Sequence, residues 1–101
     1  SLSHGDCRKL EIAMALASDA QLLLLDEPMA GLGPTETKEM IALLKRLKGQ
    51  QTILLIEHDM DAVFALADQI SVLVSWEIIA TGKPDTIRRD PKIQSAYWGE
   101  I

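Results

Sequence analysis

The sequence predicts an α/β fold layered on a parallel sheet. Three observations carry that prediction. Strand-like and helix-like stretches alternate along the chain as strand, helix, strand, helix, strand. Two of the strand-like runs, Leu22 to Asp26 and Thr52 to Ile56, are apolar without alternation, the pattern of strands buried on both faces. Acidic and histidine side chains follow both runs at once. In parallel sheets, ligands sit beyond the carboxyl ends of the strands, so both clusters should lie on one functional edge.

Each element has its own warrant. "SLSHGD" reads as a helix start, with Ser3 and Asp6 in a capping pattern and Asp6 turned back toward the helix end. Leu10, Met14 and Ala17 then recur at helical spacing through Ala17. Pro28 and the Gly31 to Pro34 turn residues stop the first strand. Thr35 to Lys48 is an amphipathic helix with Met40, Ile41, Leu44 and Leu47 on one face and Gly49 as its stop. After the second strand, Asp59 or Asp61 caps a helix through Ala67, with Val63, Phe64 and Ala67 inward. Ile70 to Val74 is a third strand and Glu77 to Ala80 a fourth, ended by Gly82 and Pro84. Short polar helices near Asp85 to Arg89 and Pro91 to Tyr97 close the chain.

At 101 residues the chain holds one small domain at most. Hydrophobic residues make up 48%, but only four residues are aromatic, so the core is aliphatic. Net charge is −5 with no basic stripe, which argues against nucleic acid as a primary ligand. The single cysteine, Cys7, forms no internal disulfide, which fits a reducing setting, and it reads as a small residue tolerated near a helix start. No apolar run approaches the roughly 20 residues that cross a bilayer.

The strand-end residues suit nucleotide chemistry. A carboxylate there can hold Mg²⁺ directly or through water, because hard cations take oxygen ligands. An adjacent carboxylate can orient or deprotonate a water. An isolated Asp-Glu pair, however, is ordinarily a solvated acidic turn, and a lone His after a strand is often a surface residue. The combination alters that weighing. "LSHGD", "LLLLDEP", "AGLGP" and "LLIEHD" occur in that order across almost the whole chain.

Together these motifs resemble the ATPase subunit of ABC transporters, from the signature motif onward. "LEIAMALA", "DEPMAGLGP" and the tail "AYWGE" are most similar to the branched-chain amino-acid importer subgroup. The resemblance implies a three-layer P-loop NTPase-like fold with a mostly parallel sheet, of which residues 1–101 would form the C-terminal part. It implies that Leu2, Ser3, His4 and Gly5 present a helix start to the γ-phosphate of nucleotide on a partner subunit. Asp26 would then serve Mg²⁺, most simply through water, and Glu27 would be the general base. Ala30, Gly31, Leu32 and Gly33 match the D-loop, with Gly33 where many relatives carry Asp. His58 matches the switch histidine. Trp76 replaces a Gly usual between the last two strands, so a turn needing positive φ is not expected there. Trp98 stands where a smaller aliphatic residue is common, and neither Trp is given a catalytic role.

No G-x-x-x-x-G-K-[ST] occurs in the chain. The loop that grips ATP is therefore expected upstream, and these 101 residues alone are expected to be inactive. The implied ligands are ATP and Mg²⁺. The implied partners are a second ATPase subunit in a head-to-tail dimer and transmembrane permease subunits, without nucleic acid, at the inner face of the cell membrane. Two alternatives stand beside this reading. One is a non-catalytic dimerisation or interaction module. The other is part of a soluble ABC ATPase.

Overall fold

The computed structural model describes residues 4–17 and 21–97. The elements run α1 (His4–Ala17), β1 (Leu22–Asp26), α2 (Pro34–Leu47), β2 (Thr52–Ile56), α3 (Met60–Leu66), β3 (Ile70–Val74), β4 (Glu77–Gly82), α4 (Pro84–Arg89) and α5 (Pro91–Tyr97). The chain divides into two compact units, Ser1–Leu66 and Ala67–Ile101.

In the first unit β1 and β2 pair in parallel, from Leu22 beside Thr52 to Asp26 beside Ile56. Side chains alternate across such a pair. Leu25, Ile53 and Leu55 pack against a core made by Ile12, Met29, Met40, Leu44, Leu47, Ala62 and Leu66. Leu22, Leu24, Leu54 and Ile56 point the other way and are 50–62% exposed. The expectation that both faces are buried is therefore corrected. Among the described residues, the helices of this unit cover one face of the strand pair and leave an apolar face open.

Helix α2 starts with Pro34, whose missing N–H and fixed φ suit a first helical position. Gly33 precedes it in extended backbone and supplies no side-chain cap. Met40, Leu44 and Leu47 are buried as the periodicity predicts. Gly49 does not act as a left-handed stop. The helix ends in a turn in which the amides of Gln50 and Gln51 both donate to Leu47 O, each at 2.9 Å. Lys48 Nζ donates to Leu66 O at 2.8 Å and joins the ends of α2 and α3.

The inward face of α1 also differs from expectation. Ile12 is buried and Leu16 packs on the core, whereas Leu10 and Met14 are 51% and 65% exposed. This helix is apolar on several sides, so spacing alone did not select the face. In α3 the cap is Asp59 rather than Asp61. Its Oδ1 accepts from the Ala62 amide at 3.2 Å, and its carbonyl accepts from Val63. Ala62 and Leu66 face inward, with Val63 and Phe64 half-buried, and the helix ends before Ala67.

In the second unit β3 pairs with β4 as an antiparallel hairpin, with a register shift between Val72 and Leu73. The third strand thus forms a ribbon with the fourth instead of extending the parallel pair by hydrogen bonds. Val74 pairs with Glu77, so Ser75 and Trp76 alone form the loop. Both have positive φ, 49° and 67°. A two-residue hairpin loop demands that backbone twist, and here it prevails over the lack of glycine. The expectation against positive φ at Trp76 is corrected accordingly. Ile70, Val72, Ile87 and Ile93 are the buried apolar residues of this unit.

Candidate functional site

The parallel pairing puts the ends of β1 and β2 side by side, and two polar loops leave from there. Glu27 follows β1 and His58 lies two residues beyond β2. The Glu27 amide donates to Ile56 O at 2.7 Å, which continues the ladder one residue past the strand. Glu27 then turns sharply, with φ 48°. Left-handed backbone at a residue with a β-carbon costs about 1–3 kcal/mol and persists only where its surroundings fix it. The turn brings the Glu27 Oε1 to 2.6 Å from His58 Nε2. The two residues that the sequence assigned to catalysis thus meet, although 31 positions separate them in the chain. Their side chains are 46% and 76% exposed, so the pair is open to a ligand.

Two residues whose roles the sequence did not show, Arg8 and Glu57, hold this arrangement, and a third, Glu36, bonds the start of α1. Arg8 of α1 donates from Nη1 to Glu27 O at 2.7 Å and from Nη2 to Ala30 O at 3.4 Å. Glu57 Oε2 accepts from the Met29 amide at 3.1 Å, while its Oε1 accepts from the His58 amide at 3.0 Å. Glu36 of α2 accepts from the Gly5 amide through Oε2 at 3.2 Å. A partial signal existed for Glu57, which belongs to the "EHD" cluster. Arg8 and Glu36 look like ordinary helix-surface charges in the sequence.

The remaining predicted site residues are distributed as follows. Leu2 and Ser3 lie outside the described residues, as does Trp98. His4 opens α1, and Gly5 is buried beside Glu36. A β-carbon on Gly5 would sit 2.5 Å from Glu36 Oε2, so this close approach requires glycine or a displaced carboxylate. Ala30, Gly31, Leu32 and Gly33 form the turn into α2. The amides of Ala30 and Leu32 donate to Glu27 O and Met29 O, and Gly31 takes φ 78°.

Two donor sets suit a cation differently. Asp26 ends β1, exposed, and no described side chain bonds its carboxylate. A free hard-oxygen donor of this kind fits Mg²⁺. Glu27, Glu57 and His58 bring three ligand atoms within 4.8 Å of one another. That mixed nitrogen and oxygen set is chemically less suited to Mg²⁺, and backbone amides already occupy Glu57. Of the two sets, Asp26 is the better-suited donor for a hard cation.

Residues 1–30 match the ABC transporter family model. Nearly the whole chain, 99%, aligns at 45% identity with the high-affinity branched-chain amino acid transport ATP-binding protein LivG of Escherichia coli. This chain is similar to ABC transporter ATP-binding proteins. The corresponding protein BraF of Pseudomonas aeruginosa is 42% identical over 99% of the chain. A crystal structure of an ABC transporter ATP-binding cassette in its ADP conformation superposes with a TM-score of 0.84, at 32% identity, covering 99% of this chain and 41% of that one. The fold is accordingly the α/β fold of ABC ATPase cassettes. The chain spans 40% of the length of LivG and of BraF. No helix among the described residues is long and apolar enough to cross a membrane.

Proposed function

We propose that this chain is the signature-to-switch portion of the ATP-hydrolysing subunit of an ABC importer for branched-chain amino acids. The observation that carries the reading is the 2.6 Å pairing of Glu27 with His58 at the open ends of two parallel strands. The 45% identity to LivG supports the solute class.

In this reading Glu27 orients the attacking water and takes up its proton. His58 contacts the γ-phosphate and fixes the Glu27 carboxylate between turnovers. Mg²⁺, when held by Asp26, neutralises phosphate charge. Leu2, Ser3, His4 and Gly5 present a helix start to nucleotide on a second subunit, where amides and the helix dipole favour an anion. The Gly5 amide already serves Glu36. Phosphate binding at that amide therefore requires the Glu36 carboxylate to swing aside. Ala30 to Gly33 follow Glu27 after two residues, which suits a loop that reports the base to the partner subunit. Permease subunits at the inner face of the membrane complete the importer.

The test is reconstitution of the full-length gene product with its permease subunits in vesicles. ATP-dependent uptake of leucine, isoleucine or valine is expected. ATP turnover with no uptake of any of these would refute the solute class. The 101 residues alone contain no phosphate-cradling glycine loop in sequence, so calorimetry is expected to detect no micromolar ATP binding. The open apolar face of β1 and β2 favours a second reading, an interaction module without catalysis. Absence of ATP hydrolysis by the full-length gene product would select it.

A further inference from the structure

The turn that carries Glu27 closes through an internal bond, from the Ala30 amide to Glu27 O at 3.0 Å, and is otherwise held from outside. Its first amide is bound by the Ile56 carbonyl at 2.7 Å. Its first carbonyl, at Glu27, is bound by Arg8 Nη1 at 2.7 Å, and its last, at Ala30, by Arg8 Nη2 at 3.4 Å. The Met29 amide is bound by Glu57 Oε2 at 3.1 Å. A guanidinium presents several donors in one rigid plane, so Arg8 can span two carbonyls that a lysine would reach one at a time. A carboxylate has two oxygens, so Glu57 can tie the turn with one and the His58 amide with the other.

We infer that Arg8 and Glu57 are positioning residues that clamp the left-handed turn at Glu27 and so aim its carboxylate at His58. Without the clamp, the strain at φ 48° favours relaxation of the Glu27 backbone toward negative φ. That relaxation swings the side chain away from His58. Glu57 acts on both members of the pair, because it bonds the turn after one and the amide of the other. Arg8 acts from α1 and so ties that helix to the Glu27 turn. The catalytic meaning of the clamp rests on the role proposed for Glu27 above; the clamp itself does not.

The test reads the pair without nucleotide, which separates it from the ATPase reading. In ¹⁵N-labelled protein, the His58 Nε2 signal reports its partner, and hydrogen exchange reports the Met29 amide. Glu27→Gln defines the His58 signal of the altered pair. Arg8→Gln and Glu57→Gln are expected to move the His58 signal toward that value. Glu57→Gln should also speed Met29 exchange about tenfold, the effect of losing one charge-assisted hydrogen bond. Arg8→Lys keeps the charge but loses the fork, and should give a smaller shift in the same direction if Arg8→Gln does not fold. Lys9→Gln, which removes the neighbouring ion pair with Glu39, is expected to change neither readout. An unchanged His58 signal in folded Arg8 and Glu57 variants would overturn the inference. So would an equal shift in Lys9→Gln.

Discussion

Glu27 and His58 were legible as residues because sequence places each within two residues of the end of an apolar run, and parallel pairing does the rest. Arg8, Glu36 and Glu57 were not legible in their roles. Each acts through a side-chain bond to a backbone group between 19 and 31 positions away, and no periodicity encodes such a bond. Gly5 illustrates the same limit from the other side. The resemblance implies that Gly5 helps present a helix start to phosphate, whereas the structure shows a tight approach to Glu36. Gly5→Ala should therefore displace the Glu36 carboxylate and lose its bond to the helix start. The loss should be about 1 kcal/mol, because only a flexible side chain has to move. A shift in the denaturation midpoint measures it. An unchanged midpoint would mean that the higher helix propensity of alanine offsets the lost contact.

Among elements, those with explicit stop and start chemistry were read closely. Pro34, Asp59, Pro84 and Pro91 mark helix starts in the structure within one residue of where the sequence put them. The misread face of α1 has a different origin. Leu10, Ile12, Met14 and Leu16 fall on more than one side of the helix with charged residues between them, so the contact surface decided which residues turned inward. The β3–β4 hairpin shows tertiary demand prevailing over residue preference. Its two-residue loop places Ser75 and Trp76 in left-handed backbone, with Trp76 93% exposed. Trp76 therefore carries strain with little burial in return. Trp76→Gly should raise stability by about 1 kcal/mol, with a matching rise in Tm. A fall in Tm would mean that the indole makes contacts in solution that outweigh the strain.

At the scale of the molecule, the fold class was readable and the environment of the strands was not. An unbroken apolar run states how many faces a strand is suited to bury, not what covers them. Leu22, Leu24, Leu54 and Ile56 show the difference, since they form an open apolar face on the parallel pair. Such faces drive association in water. The 101 residues should self-associate at micromolar concentration, and Leu24→Thr with Leu54→Thr should reduce this without unfolding the chain, as read by sedimentation velocity and circular dichroism. Unchanged association in the double variant would place the sticky surface elsewhere. The relatives, of which the chain spans 40%, are long enough to supply a cover for that face.

These scales meet in the proposed role of the Glu27–His58 pair as the chemical centre of an ATPase. Steady-state ATP hydrolysis by the full-length gene product carrying Glu27→Gln tests it most directly, with nucleotide binding measured on the same sample. Turnover is expected to fall by at least about 100-fold, the usual contribution of a positioned general base, while ATP binding stays within a few-fold of the parent. Hydrolysis at the parent rate in that variant would contradict it.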